Sequence, residues 1–137
     1  MRGAMMHFPL TPTHVLERAG TLYGESQIVS RLPDRSLHRH RYQDFYRRTR
    51  ALAGALQGLG LQKGDRVATL MCNHSAHLEA YLAIRCAGAV LRPYDIACVA
   101  NRARDRFLIV DDVLLPLLEK FNAQVKIERI LVKSGGE

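Results

Sequence analysis

The residues best suited to chemistry in this 137-residue chain are His74, Ser75 and His77, with Asp111 and Asp112 some way beyond them. His74 and His77 stand three apart at the start of a helical pattern, so they share a helix face. The two acids follow the apolar run Arg106 to Val110. If both segments end on one side of a sheet, an imidazole and a carboxylate could act as base and orienter, or hold a metal between them. Ser75 follows a strand pattern at a helix start, where a nucleophile would sit. The G-x-S-x-G elbow is missing, however: His74 and Ala76 flank the serine with no glycine nearby. Asp111 and Asp112 could bind Mg²⁺ or Ca²⁺, but two acids are too few ligands alone. The plainer reading makes Asn73-His74-Ser75 a polar helix cap, His77 a surface residue, and the acids caps of a helix beginning at Val113.

The net charge is +7, and sixteen of the twenty basic residues are Arg. Six of them fall between Arg35 and Arg50, together with His38 and His40. The two histidines alternate along a strand and so face the same way. Arg47, Arg48 and Arg50 are candidates for binding an anionic partner. The aromatic residues of that segment, Tyr42, Phe45 and Tyr46, lie on the apolar side of the same helix. They cannot also form a base-stacking platform, which argues against nucleic acid and for a solvated basic helix face. Cys72, Cys86 and Cys98 form no C-x-x-C pair and sit in apolar segments, which predicts buried, reduced thiols and a cytoplasmic setting. No apolar run is long enough to span a bilayer, and Met1 to Leu10 is a poor signal peptide.

The elements that must position these residues are legible in outline. Hydrophobic residues at 47% and charged residues at 24% suit one globular α/β domain over 1–137. A first helix is predicted after Thr11 or Thr13, with a stripe of Val15, Leu16, Ala19 and Leu22. Gln27–Leu32 and Ser36–Tyr42 flank Pro33-Asp34-Arg35 as an N-terminal β-hairpin with a basic, exposed second strand. Tyr42 to Leu59 is a strong amphipathic helix, in which Gly54 suggests close packing. Arg66 to Cys72 reads as a strand. Leu78, Tyr81, Leu82, Arg85 and Cys86 then give a helix stripe closed by Gly88. Strands follow from Val90, over Arg106–Val110 and over Lys126–Val132. Between them lie a helix from Asp95 to about Arg104 and a helix with Pro116 in its first turn. This alternation predicts a mostly parallel sheet with helices on both faces.

At this level the chain resembles a family. L-x-x-L-G-L-x-K-G-D-R-V-A, followed by N-x-x-x-x-L-E-A-Y-L-A-I-x-x-A-G-A-V and then DRFLIVDD, is similar to the N-terminal subdomain of acyl-adenylate-forming enzymes. The detail is most like fatty-acyl-CoA synthetases of the medium- and long-chain type. The resemblance implies activation of a carboxylate with ATP and Mg²⁺, then transfer of the acyl group to coenzyme A. The family's Ser/Thr/Gly-rich phosphate loop, its Tyr-Gly-x-Thr-Glu motif, its ribose-binding Asp and its catalytic Lys have no counterpart here. No functional residue of the family carries over, and no cofactor is expected for these residues alone. Arg92-Pro93-Tyr94 also bridges a passage that is longer in the family, which puts the local loop and sheet register in question. The expectation is a truncated ligase-like domain that binds a ligand or self-associates as a homo-oligomer through exposed apolar surface. The alternatives are a small hydrolase of acyl esters or lactones on the reused fold, and a basic module for anionic partners.

Overall fold

The computed structural model describes residues 10–32, 35–93, 105–122 and 126–135. Helix α1 (Pro12–Leu22) opens with proline where a missing N–H costs nothing. Strands β1 (Gln27–Arg31) and β2 (Leu37–Arg41) pair antiparallel, Gln27 opposite Arg41 and Arg31 opposite Leu37. Helix α2 (Tyr42–Gly58) starts where β2 stops. Then come β3 (Arg66–Leu70), α3 (Ser75–Cys86), β4 (Val90–Pro93) and β5 (Phe107–Asp111). A single 3₁₀ turn (Asp112–Leu114) leads into α4 (Leu115–Asn122), and β6 (Arg129–Lys133) follows. The predicted Pro33-Asp34 turn, the Asp95–Arg104 helix and Cys98 lie outside the described residues.

Strands β3 to β6 form one parallel sheet in the order β4-β3-β5-β6. Val67 stands opposite Phe107, and Leu108 opposite Ile130. Val67, Phe107 and Ile109 face one side, against Ala53 and Leu56 of α2 and Ala80, Ala83 and Ile84 of α3. Ala68, Leu70, Leu108 and Val110 face the other, against Leu118 of α4. Covered on both faces, β5 is buried at all five positions, which is why the run Phe107 to Val110 is continuously apolar rather than alternating. Gly64 and Gly88 take φ of 87° and 82°, and the Gly64 N–H donates to the Gly88 carbonyl at 2.9 Å, joining the entries to β3 and β4. Strand β4 keeps register with β3 from Val90 to Pro93. The short passage after Leu91 therefore leaves the sheet pairing undisturbed.

The structure corrects several expectations. In α1 only Leu16 and Gly20 are buried, while Val15 and Leu22 of the predicted stripe are exposed. In α3 the buried face is Glu79, Ala80, Ala83 and Ile84, and Leu78 is 42% exposed. This helix packs on α1, α2 and β3. Alanine lets those backbones approach closely, so Ala80 and Ala83 turn inward beside Ile84 while Leu78 does not. Gly54 is exposed, with nothing within 4 Å of where a Cβ would stand. The close approach is at Gly20, whose Cβ would fall 2.5 Å from the Tyr46 Cβ. Strand β3 ends at Leu70, so Cys72 lies beyond it and is exposed; Cys86 is only half-buried.

Candidate functional site

The carboxyl ends of β3 and β5 lie side by side, Leu70 opposite Val110. Whatever follows β3 therefore meets the last residue of β5, which is Asp111. Its side chain is almost wholly buried. The Oδ2 atom accepts from the Cys72 backbone N–H at 2.7 Å and from His74 Nε2 at 2.9 Å. His74 is the N-cap of α3, and its Nδ1 accepts from the His77 N–H at 3.2 Å. Asn, Asp, Ser or Thr usually fills this role; here an imidazole does. The two bonds fix the tautomer: neutral, with the proton on Nε2. Both ring nitrogens are thereby committed.

Of the candidates, His74 and Asp111 are joined by a side-chain hydrogen bond, while the side chains of His77, Ser75 and Asp112 make none to that pair. His77 is half-buried rather than a surface residue, with Nε2 3.4 Å from Thr69 Oγ1. Burial first, and then the neighbouring His74, hold its pKa below the ordinary value, partly offset by Asp111. The Ser75 N–H donates to Ser30 Oγ at 3.0 Å, fixing the hairpin to α3. Among the described residues the Ser75 hydroxyl makes no hydrogen bond to either histidine, so no nucleophile–base pair forms. Asp112 spends both oxygens on backbone, accepting from Val113 at 2.7 Å and from Gly135 at 2.6 Å. It locks the turn as expected, but Asp111 makes no cap bond to that helix. Among the described residues no group of three or more His, Cys, Asp or Glu is placed to hold a metal.

The basic helix face is also committed. Arg47 pairs with Asp44. Arg50 donates to the Tyr46 hydroxyl at 3.0 Å and lies over its ring. Arg48 Nε meets Glu79 Oε1 at 2.7 Å. The Glu79 hydrogen bond is the main cause of the raised Arg48 pKa. His38 and His40 share the inner face of the hairpin, with ring centroids 5.4 Å apart. Burial lowers the His40 pKa. Glu79 and Ser30 do not stand out in the sequence by type or spacing. A lone carboxylate on an alanine-rich helix face was the available signal for Glu79, since a buried acid needs a cation nearby.

A model of the AMP-binding enzymes matches residues 16–129 of this chain. The chain belongs to that family. A long-chain-fatty-acid–CoA ligase of Thermus thermophilus is 44% identical over 129 residues, covering 89% of this chain and 24% of the ligase. A medium-chain-fatty-acid–CoA ligase of Ectopseudomonas oleovorans is 31% identical over 132 residues, covering 91% of this chain and 24% of that ligase. This AMP-binding family chain thus spans about a quarter of the length of the curated relatives it matches. The fold is similar to an anthranilate CoA ligase solved with anthranoyl-AMP, with TM-score 0.77 at 20% identity over 97% of this chain and 27% of that one. It is also similar to a long-chain-fatty-acid–CoA ligase of Archaeoglobus fulgidus, with TM-score 0.75 at 18% identity over 96% and 29%.

Proposed function

We propose that these residues are the non-catalytic sheet-and-helix scaffold of an acyl-CoA ligase unit, and that by themselves they do not ligate a carboxylate to coenzyme A. One observation carries the reading: the cluster at the carboxyl ends of β3 and β5, His74 with Asp111, has both imidazole nitrogens occupied within the protein. The site does not suit the nucleotide the family implies. Two of the α3 N-terminal N–H groups, at Ser75 and His77, already have acceptors. A phosphate brought there would also face the Asp111 carboxylate. No hydroxyl- and glycine-rich loop within the 137 residues offers another cradle. The same engagement of His74, with a Ser75 hydroxyl bonded to neither histidine, weighs against ester or lactone hydrolysis.

The test is AMP release by the purified chain with ATP, Mg²⁺, coenzyme A and fatty acids of medium and long chain. The expected result is no acid-dependent AMP above a boiled control. Acid-dependent turnover would overturn the reading.

The scaffold role also accounts for the apolar surface. Ile130 and Val132 share one face of β6 and are 38% and 50% exposed. In isolation the chain covers this face with a second copy of itself. Light scattering across a concentration series tests this, with a dimer expected and a monomer throughout counting against it.

A further inference from the structure

We propose that the outer face of the β1–β2 ribbon is a docking surface for an anionic lipid bilayer. The register places Val29 opposite Arg39, Arg31 opposite Leu37 and Gln27 opposite Arg41. Cross-strand partners share a face. Ile28, Ser30, His38 and His40 take the inner side, where Ser30 bonds to α3. Every residue of the outer face is exposed, including Val29 at 47% and Leu37 at 51%.

Two of the three cations of this face, Arg31 and Arg39, are unpaired among the described residues, whereas Arg47, Arg48 and Arg50 of α2 each have a partner. Arg41 meets Glu25 at 3.0 Å in a pair that is exposed on both sides. The basic surface that composition located on Arg47, Arg48 and Arg50 is therefore presented on the hairpin. Aliphatic and guanidinium groups alternate across the ribbon, so one flat approach brings two branched apolar side chains and two or three positive charges to the same plane. That is the chemistry of an interfacial contact with anionic headgroups, in which aliphatic groups enter the acyl boundary and arginines hold phosphates. The outer face has no aromatic ring to stack on bases, which sets a nucleic acid second. Among the described residues no helix is long and apolar enough to cross a membrane.

The test is co-sedimentation of the 137-residue chain with phosphatidylglycerol–phosphatidylcholine vesicles, against pure phosphatidylcholine and a single-stranded oligonucleotide. Binding is expected to the anionic vesicles and to fall as salt rises. Each arginine at a charged membrane surface is worth roughly fivefold in partitioning, so Arg31→Glu with Arg39→Glu should lose about 25-fold or more. Val29→Ser with Leu37→Ser should weaken binding but keep its salt dependence. Arg47→Gln with Arg50→Gln should change nothing, and circular dichroism checks that each variant is folded. Equal binding to neutral vesicles, undiminished binding by the folded Arg31→Glu/Arg39→Glu variant, or preference for the oligonucleotide would each overturn the proposal. It stands independently of the ligase reading, since none of these measurements involves AMP or coenzyme A.

Discussion

His74 and Asp111 are joined at 2.9 Å across 37 positions of chain, so the end of β5 and the cap of α3 are one structural unit. The carboxylate holds the imidazole in the tautomer that can cap the helix, and the imidazole supplies one of the few donors that reach a buried acid. Asp111 Oδ1 has no partner among the described residues, so Oδ2 carries the whole compensation for burying that charge.

His74→Ala removes both the cap and a donor to Asp111. It should cost about 2–3 kcal/mol by urea unfolding, because a buried carboxylate is left underpaired. His74→Asn restores a cap acceptor and should recover about 1 kcal/mol of that loss. The cycle with Asp111→Ala should give a coupling energy of about 1–2 kcal/mol. Additive losses would mean the two side chains act separately.

Much of this is legible in the amino-acid sequence. The strand-helix alternation, the hairpin and the strand-end meeting of histidine and acid follow from periodicity and turn chemistry. What spacing could not supply was which partner each group takes. His74, His77, Asp111 and Asp112 are all polar residues near strand ends, and only the neighbouring of β3 and β5 selects one pair. The buried face of α3 departs from its periodicity for a different reason. Hydrophobic periodicity weighs large residues such as Leu78, whereas a helix held close to its neighbours buries alanines. For the same reason Gly54 drew notice and Gly20 did not, because a glycine's function depends on what stands opposite it.

Those two glycines should respond in opposite directions to the same substitution. Gly20→Ala would drive a methyl to 2.5 Å from the Tyr46 Cβ and part α1 from α2, costing about 1–3 kcal/mol. Gly54→Ala meets nothing within 4 Å in a helix interior and should stabilise by about 0.5–1 kcal/mol. Thermal melts of the two variants beside the parent decide this; equal shifts would contradict the packing.

Stability should fall in mild acid. Burial is the main reason His77 and His40 both have folded-state pKa values below the ordinary 6.5. Between the folded and unfolded values the unfolded chain binds more protons, so stability rises with pH there. The penalty is absent above 6.5 and grows as pH falls through that value toward the lowered pKa. Asp105, pushed up from 3.8 mainly by burial, gives the opposite slope above that value. The comparison is therefore parent minus His77→Gln/His40→Gln, measured by urea midpoint from pH 8 downward. The difference should appear below about pH 6.5; parallel curves would mean neither histidine is linked to folding.

Glu79, the one acid of α3, has a side chain only 8% exposed, whereas its partner Arg48 is 57% exposed. The pair is therefore unequal. Removing the arginine strands a buried charge, while neutralising the glutamate leaves an arginine that water can still reach. Arg48→Met should cost about 1–3 kcal/mol, less than for a fully enclosed pair because solvent screens the guanidinium side. Glu79→Leu should cost less than Arg48→Met. Arg48→Met with Glu79→Leu should return most of the loss, since apolar groups of similar volume in place of both partners leave nothing unpaired. The two single variants and the double, unfolded in urea at neutral pH, read this directly. A double variant as unstable as the sum of the singles would mean that the ion pair is incidental to how α2 rests on α3.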